Sequence, residues 1–273
     1  MWGGPRVCEF SLMRFSILGL GLIVTASLAA GPADDIARIH VEAIGGAGRI
    51  TALAAVRATG QVATGGQTVG FRMVAARPNR VRIETESGGR TLIQSYDGIN
   101  PPWEFDTGAW PANYRLMKEA AAAMFTADAE FDDPLIDSEA RGYQLDLAGE
   151  VQAGERRLTK ILVTRNGGLP FFIMLDSETF FIVQRIDVRR QASGRNAEVV
   201  TRFERFRPVD GVLLPHFIEI AIEGRVVQTT FIEAMEANPK IEAAIFRRPE
   251  SPAEKKDREE KSRSKERRSF FNR

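Results

Sequence analysis

The side chains best suited to acid–base or metal chemistry in this sequence are few and isolated. The chain has two histidines, His40 and His216. Histidine can serve as a general base or a metal ligand near neutral pH. Neither residue belongs to a paired-histidine motif, however, and the sequence has no nucleophilic-serine elbow. A structural or surface role is therefore favoured for both histidines over a catalytic one.

Acidic residues and a glycine-rich stretch give two weaker chemical signals. Asp132-Asp133 and the nearby Asp137 and Glu139 offer carboxylates for calcium, but without the spacing of a calcium-binding loop. The stretch "AIGGAGRI" follows a predicted helix and lacks the Lys-Ser/Thr ending of a phosphate loop. We therefore expect no enzyme, no cofactor and no metal, although a hydrolase built from distant carboxylates stays open.

The first 29 residues are typical of a secretory signal peptide. Met13-Arg14, where Met13 is an alternative start, precedes the apolar run "FSILGLGLIVTASLAA", and Ser27 and Ala29 suit cleavage after Ala29. A retained membrane anchor is the alternative. Cys8 lies before the apolar run, so the mature chain would have no thiol for a disulfide, a metal or catalysis. These features predict a mature protein that lies outside the cytoplasm.

Composition predicts one domain followed by a charged tail. The 273 residues are 44% hydrophobic, enough for a substantial core, and the net charge of +1 provides no field for nucleic acid. We expect the domain over residues 30–249 and a disordered tail over 250–273. Residues 254–273 hold nine basic and five acidic side chains. Contact of this tail with anionic lipid head groups is the alternative to a solubilising role.

Two regions have helical patterns. Asp34–Ile44 begins with acidic residues, carries apolar residues at helical spacing and ends at "GGAG", and the following "RITALAAV" would add another turn or two. Arg115–Ala127 is rich in Ala, Leu and Met, which favour helix.

Most of the remaining chain alternates between apolar and polar residues, which indicates about eleven strands. The connections are too short for crossover helices, so the sheet is expected to be antiparallel and to curl or split into a sandwich. Asp210-Gly211 predicts a hairpin turn, with Pro215 at a strand start or edge. The eleven strands are Ala58–Ala63, Thr68–Val74, Arg80–Glu84, Thr91–Tyr96, Tyr143–Glu150, Arg157–Thr164, Phe171–Asp176, Phe180–Arg190, Glu198–Arg207, Leu214–Glu223 and Val226–Met235. The Pro- and Gly-rich segment "NPPWEFDTGAWP" is expected to add a short strand at Trp103–Phe105.

The strand "LPFFIMLD" carries apolar side chains on both faces. Phe171, Ile173 and Leu175 lie on one face, and Phe172 and Met174 lie on the other. Such a strand needs cover on both sides, because an antiparallel strand with one wet face alternates more regularly. The pattern fits a half-barrel plugged by a helix, and it also fits a plain sandwich core.

Six segments in order resemble one known family. They are "HVEAIGGAGRITALAAVRATGQ", "YDGINPPWEF", "FDDPLIDSEARGYQLDLAGEVQAGE", "LDSETFFIVQRIDV", "RFRPVDGVLLPHFIEI" and "IEAMEANPKIEAAIFRRP". Together they are similar to the outer-membrane lipoprotein-sorting protein family, relatives of the periplasmic lipoprotein carrier, over roughly Asp34 to Pro249. The resemblance implies a mainly β (α+β) fold: a curved, incompletely closed antiparallel half-barrel with helices as lid and plug over an apolar cavity.

The resemblance also implies a periplasmic location and a task. It suggests a monomeric carrier or chaperone that holds lipid or an acylated lipoprotein and meets an inner- or outer-membrane partner. A periplasmic sensor or scaffold module that binds a protein partner is the alternative. Large apolar residues, including adaptable methionines, are the candidates for the cavity lining: Trp103, Phe105, Leu116, Met117, Met124, Phe125, Phe171, Phe172, Met174 and Phe181. Trp110 is either a rim anchor or a loop staple.

Overall fold

The computed structural model describes residues 31–109, 114–165, 167–191 and 194–250, together with Glu260. The predicted signal peptide, Trp110 and nearly all of the predicted tail lie outside these residues. The described residues form one sheet of thirteen strands, three α-helices and one 3₁₀ helix. None of the described helices is long and apolar enough to cross a membrane.

The elements follow one another mostly through tight turns. The helices are α1 (Pro32–Ala43), α2 (Ala47–Ala52), α3 (Glu119–Asp128) and the 3₁₀ helix (Ala243–Phe246). The strands are β1 (Ala55–Thr64), β2 (Gln67–Ala76), β3 (Arg80–Ser87), β4 (Arg90–Tyr96), β5 (Trp103–Asp106), β6 (Tyr114–Leu116), β7 (Tyr143–Ala153), β8 (Arg156–Arg165), β9 (Phe171–Asp176), β10 (Ile182–Arg190), β11 (Asn196–Val209), β12 (Val212–Ile222) and β13 (Arg225–Ala237).

The sheet is antiparallel throughout and is not closed into a barrel. Its strand order is β6-β5-β4-β3-β2-β1-β13-β12-β11-β10-β9-β8-β7. The first and last strands of the chain pair at its centre, and β6 and β7, which are consecutive in sequence, form its two edges. The predicted half-barrel is confirmed, with thirteen strands instead of about eleven, and the apolar runs belong to one curved sheet rather than to a sandwich.

The predicted helix Arg115–Ala127 starts too early. Residues Tyr114–Leu116 form the edge strand β6, and the helix begins only at Glu119. The alanine-rich run has high helix propensity from that point onward, whereas the backbone before it finds its partners in β5. Leu116 therefore lies on a strand, and Met117 lies between that strand and the helix.

Helix α1 packs against one face of the sheet, which we call the inner face. Its residues Ala33 and Ala37 belong to a buried cluster with residues of β7 to β10, which include Tyr143, Ile161, Val163, Phe171, Ile173, Leu175 and Ile182. Helix α2 continues the same layer, with Ile50 packed in a second cluster near Val56 and Val212. The two helices therefore form a plug over part of the inner face.

The hairpin between β11 and β12 is shaped by backbone that favours glycine. Asp210 and Gly211 have φ of 51° and 81°, as in the two-residue hairpin turns that match strand twist. At Gly45, between α1 and α2, a Cβ would lie only 2.5 Å from the Gly211 carbonyl oxygen. At Pro215, β12 pairs with β11 only, because its pairing with β13 begins at Phe217.

The 3₁₀ helix covers the opposite face of the sheet, which we call the outer face. Phe246 is completely buried against Ala55 and Ala76. Its carbonyl oxygen accepts hydrogen bonds from the Trp103 indole at 2.9 Å and the Ser95 hydroxyl at 3.1 Å. The chain after β13 is thereby fixed across the outer face of β1 to β5.

We expect Phe246→Ala to reduce the free energy of unfolding by about 3–5 kcal/mol, because it removes a fully buried ring and leaves a cavity. Denaturant unfolding followed by circular dichroism measures this change. Phe231→Ala is the matched control, because Phe231 is 40% exposed. Similar losses in both variants would show that the 3₁₀ helix is not an integral part of the core.

Candidate functional site

The connection between β6 and β7 crosses the inner face, because these strands lie at opposite edges of the sheet. After α3 it continues as residues 129–142, which we call the crossover. Leu135 packs into the cluster under α1, and Phe131 and Ile136 pack into the cluster near α2. Together with α1 and α2, the crossover fills one part of the concave side.

Two arginines bind the backbone of this filled part. Arg77 donates from Nε to the Leu53 carbonyl oxygen at 2.9 Å, and its guanidinium pairs with the Asp132 carboxylate. Arg141 donates to the carbonyl oxygens of Ile136 and Asp132, both at 3.0 Å. Carbonyl groups inside a fold cost free energy when they lack a donor, so these arginines allow an irregular segment to lie within the concavity.

His40, a buried residue that is 2% exposed, joins α1 to the crossover through an ion pair. Its Nδ1 lies 2.7 Å from the Phe180 carbonyl oxygen, and its Nε2 lies 3.1 Å from Asp133 Oδ2. Because both neighbours are acceptors, the geometry suits an imidazolium that donates from both nitrogens. Burial acts to lower the pKa of His40, but the charge and hydrogen bond of Asp133 and the Phe180 carbonyl raise it above its ordinary 6.5.

The pKa of Asp133 is shifted in the opposite direction to that of His40. Burial acts to raise the pKa of this carboxyl group, but His40, the Leu135 N–H and Arg141 hold it below the ordinary 3.8. The predicted acidic cluster is thus occupied by protein cations: Asp132 by Arg77 and Asp133 by His40. Within the described ranges, no group of three or more His, Cys, Asp or Glu side chains has the arrangement of a metal site.

The second histidine has a local structural contact. His216 is buried in β12, and its Nδ1 lies 3.0 Å from the Leu214 carbonyl oxygen. In the part of the chain that the structure describes, neither histidine shares a hydrogen bond with a hydroxyl or thiol side chain. The structural role of the two histidines stays a prediction.

Two of the predicted lining residues are on the inner face but lie within its filled part. Phe171 is buried in the cluster under α1, with the Arg185 guanidinium 4.3 Å from its ring centre. Phe181 packs near α2 and contacts Phe206, with ring centres 4.9 Å apart. Both residues support the plug rather than an open surface.

Five other predicted lining residues are on the outer face. Phe172 and Met174 alternate with the inner residues of β9, and the Lys160 ammonium lies 3.8 Å from the Phe172 ring centre. The cross-strand pairing places Trp103 beside Ser95 and Leu116, under the 3₁₀ helix. Phe105 shares this face and stacks on Tyr114, with ring centres 4.6 Å apart. These residues do not line the concave side.

An apolar surface that sequence reasoning missed remains on the inner face. We call it the open strip, and it consists of the half-buried side chains Val62, Met73, Ile83, Leu92 and Ile218. Val62, Met73 and Ile218 surround the buried Ala58, and cross-strand pairing places Ile83 beside Met73. The sequence signal that could have located the open strip is the alternation of β3, in which the apolar Ile83 lies between the charged Arg82 and Glu84.

Helix α3 is apolar and poorly covered. Seven of its ten residues are Ala, Met or Phe, yet none is buried, and Met124 and Phe125 are only half-buried. Its last residue, Asp128, pairs with Arg189 of β10 at 2.7 Å. By strand alternation Arg189 is on the inner face with the buried Asp187, so the C-terminal end of α3 is anchored there. The predicted residue Met117, just before α3, is buried.

Comparison with solved structures identifies the class of fold. An outer membrane lipoprotein-sorting protein domain from Vibrio parahaemolyticus has a TM-score of 0.54 at 9% identity, over 78% of this chain and 95% of that chain. A DUF1329 family protein from Desulfovibrio piger has a TM-score of 0.55 at 11% identity, over 80% and 98%. A LolA superfamily protein from Nitrosomonas europaea has a TM-score of 0.50 at 14% identity, over 80% and 99%.

These likenesses establish the fold and nothing finer. Neither a family model nor a curated protein matches this sequence. The three structures are nevertheless covered almost completely by the chain, so the similarity extends over whole half-barrels rather than a shared fragment. The resemblance to lipoprotein-sorting proteins inferred from the sequence is therefore confirmed at the level of fold.

The His40–Asp133 pair predicts a specific pH dependence of stability. The raised pKa of His40 means that its contribution is complete below about 6.5 and is lost as pH rises through the higher folded-state value. We expect the difference in unfolding free energy between the wild type and His40→Gln to be larger at pH 5.5 than at pH 9. Denaturant unfolding at both pH values measures it.

His216→Gln is the control, because the structure gives His216 no ion pair with a described residue. Its difference from the wild type should not follow the pH trend of His40→Gln. A His40→Gln difference that is the same at both pH values would contradict the assignment of a protonated His40.

Proposed function

We propose that this chain is a periplasmic carrier or chaperone that shelters the acyl chain of a lipid or of a lipidated protein against the open strip. The observation that carries the proposal is the half-buried apolar surface on the concave side of an unclosed sheet. The fold that the chain shares with a lipoprotein-sorting domain and a LolA superfamily protein supports the same function.

The dimensions of the open strip suit an acyl chain. It extends over β4, β3, β2, β1, β13 and β12, which are six adjacent strands. At the usual strand spacing these span about 24 Å, whereas the chains of one bilayer leaflet occupy about 15 Å. Each buried CH₂ is worth about 0.8 kcal/mol, so a sixteen-carbon chain gains on the order of 12 kcal/mol by leaving water.

Helix α3 supplies the movable cover in this proposal. Its exposed apolar surface gains by contacting an acyl chain, and Met124 can adapt to ligands of different shape. The ion pair between Asp128 and Arg189 ties one end of the helix to the sheet. The helix can then swing about that end while the remainder of the plug, held by Arg77, Arg141 and His40, stays in place.

The proposed activity is binding and needs no catalytic group. The polar side chains of the plug are already engaged with one another: His40 with Asp133, and Arg77 with Asp132. The hydrophobic effect alone supplies affinity for an acyl chain, and it does not depend on the chemistry of the head group. We propose that the chain acts as a monomer and exchanges cargo with a membrane partner.

We expect Val62→Asp and Ile218→Asp to weaken binding of a palmitoyl phospholipid by at least about tenfold, because each places a carboxylate against the acyl chain. Fluorescence titration with a pyrene-labelled palmitoyl phospholipid measures the Kd. Val226→Asp is the matched control, because Val226 is 53% exposed and pairs with Ala221 on the outer face. Circular dichroism and thermal unfolding establish that each variant is folded.

The acyl chain itself must be required. An excess of the deacylated head group should not displace the pyrene-labelled lipid, and the wild type and Val226→Asp should have the same Kd for the intact lipid. Equal affinity for acylated and deacylated cargo would overturn the proposal. A protein partner that is retained after complete delipidation would instead identify a sensor or scaffold module.

A further inference from the structure

A separate cleft on the outer face gathers four arginines. Its volume is about 470 Å³, within the range of small-molecule sites. The guanidinium groups come from both the sheet and the C-terminal segment, and the rest of the lining is one carboxylate and aliphatic side chains. The lining residues are Arg57, Arg72, Val74, Arg82, Glu84, Ala244, Ile245, Arg247 and Pro249.

The cleft is formed where the C-terminal segment meets the sheet. Arg57 of β1, Val74 of β2 and Arg82 of β3 are cross-strand neighbours in one row on the outer face. The segment from the 3₁₀ helix to Pro249 forms the opposite wall, and Arg82 donates to its Ile245 carbonyl oxygen at 3.1 Å. The buried Phe246 fixes the 3₁₀ helix of this wall to the sheet, and Arg247 and Pro249 follow it directly.

The cleft has more cations than carboxylates. Glu84 accepts from Arg82 Nε at 2.8 Å, but it lies 3.6 Å from Arg72 Nε. Arg57 is paired with Glu236 at 2.5 Å, and Arg72 is paired with Glu86; both glutamates are outside the lining. Arg247 forms no ion pair with a described residue. Burial acts to raise the pKa of Asp97, but the hydrogen bonds from Asn100 and Ile99 and the charge of Arg247 hold it below the ordinary 3.8.

We propose that this cleft binds a phosphate ester whose adjoining group is apolar: a phospholipid head group or a free organic phosphate. A phosphate offers several oxygens at once and can bridge guanidiniums from two strands and the C-terminal segment, which one carboxylate cannot do. Val74, Ile245 and Pro249 lie where the adjoining apolar group would sit. The ligand displaces Glu84 from Arg72 and shares Arg82 with it.

This site is independent of the proposed carrier function. The open strip includes Met73 and Ile83 on the inner face, whereas the cleft uses the alternating residues Arg72, Val74, Arg82 and Glu84 of the same strands. A variant can therefore change one site without changing the other. Failure of acyl binding would not affect the phosphate proposal, and the reverse also holds.

The test compares the wild type with the double variant Arg72→Gln/Arg247→Gln. These two arginines make no described hydrogen bond to the C-terminal segment, so their loss leaves the cleft wall in place. We expect the Kd for glycerol 3-phosphate, measured by calorimetry, to rise by at least about tenfold, as expected for the loss of two charge-assisted contacts. Arg202→Gln is the matched control: Arg202 pairs with Glu219 at 2.5 Å on the outer face, outside the cleft.

A gain-of-affinity variant separates the proposal from misfolding. Glu84→Gln removes the carboxylate that competes with the ligand, so it should bind glycerol 3-phosphate several-fold more tightly than the wild type, on the order of 1 kcal/mol. A damaged fold cannot produce tighter binding. Unchanged or weaker binding by a folded Glu84→Gln would contradict the predicted competition.

Vesicles distinguish the two sources of the phosphate group. If the ligand is a lipid head group, the wild type should float with phosphatidylglycerol vesicles more than with phosphatidylcholine vesicles. The double variant should lose this difference. Binding of glycerol 3-phosphate without vesicle flotation assigns a free ester. The proposal would be contradicted if the wild type, the double variant and Arg202→Gln bound equally well. It would also be contradicted if neither glycerol 3-phosphate nor the vesicles bound.

Discussion

The crossing of the inner face between β6 and β7 is the constraint on which the rest of the structure depends. These strands are consecutive in sequence but lie at opposite edges of a sheet of thirteen strands. The chain that joins them must pass through the concave side, where its backbone polar groups lose water and need protein partners. Arg141 donates to the crossover carbonyl oxygens of Ile136 and Asp132. Arg77 and His40 hold the carboxylates of Asp132 and Asp133 in the same segment.

The crossover divides the concave side into two parts with different properties. Over β7 to β10 the inner face is covered by α1 and by Leu135 of the crossover. Over β1 to β4 and β12 the side chains of the open strip are only half-buried, beside the buried Ala58, Phe71 and Ile232, and α3 carries apolar residues that are not buried. Since exposed apolar surface is costly in water, this second part is where a ligand would lower the free energy most.

The open edges of the sheet are protected by simple means. The edge strand β6 has only three residues, and β7 is exposed from Asp146 onward and carries the charges of Asp146 and Glu150. Short and charged edges discourage pairing with another chain. An unclosed sheet can therefore keep an accessible concavity without inviting edge-to-edge association.

Much of the fold could be predicted from the sequence because its signals are local. Alternation gave eleven of the strands with bounds close to those observed, and Asp210-Gly211 marked its hairpin correctly. Strand β6 was missed because its three residues are held by pairing with β5, and the adjacent Ala-rich run dominates the local propensity. The half-barrel itself followed from the length of the antiparallel meander and from the resemblance.

The site was harder to predict because its residues come together only in three dimensions. Large aromatic residues were favoured as lining, yet Phe172 and Trp103 are on the outer face, and Phe171 is in the covered core. Which face of a doubly apolar strand is concave depends on sheet curvature, which alternation does not contain. The pairing of His40 with Asp133, 93 positions apart, likewise has no local signature.

Native mass spectrometry of the mature protein, purified from a periplasm without detergent and followed by organic extraction, tests the central claim most directly. The account predicts a bound mass that disappears on extraction and that the extract identifies as an acyl-bearing molecule. A protein that carries no such mass and takes up no added phospholipid would contradict it.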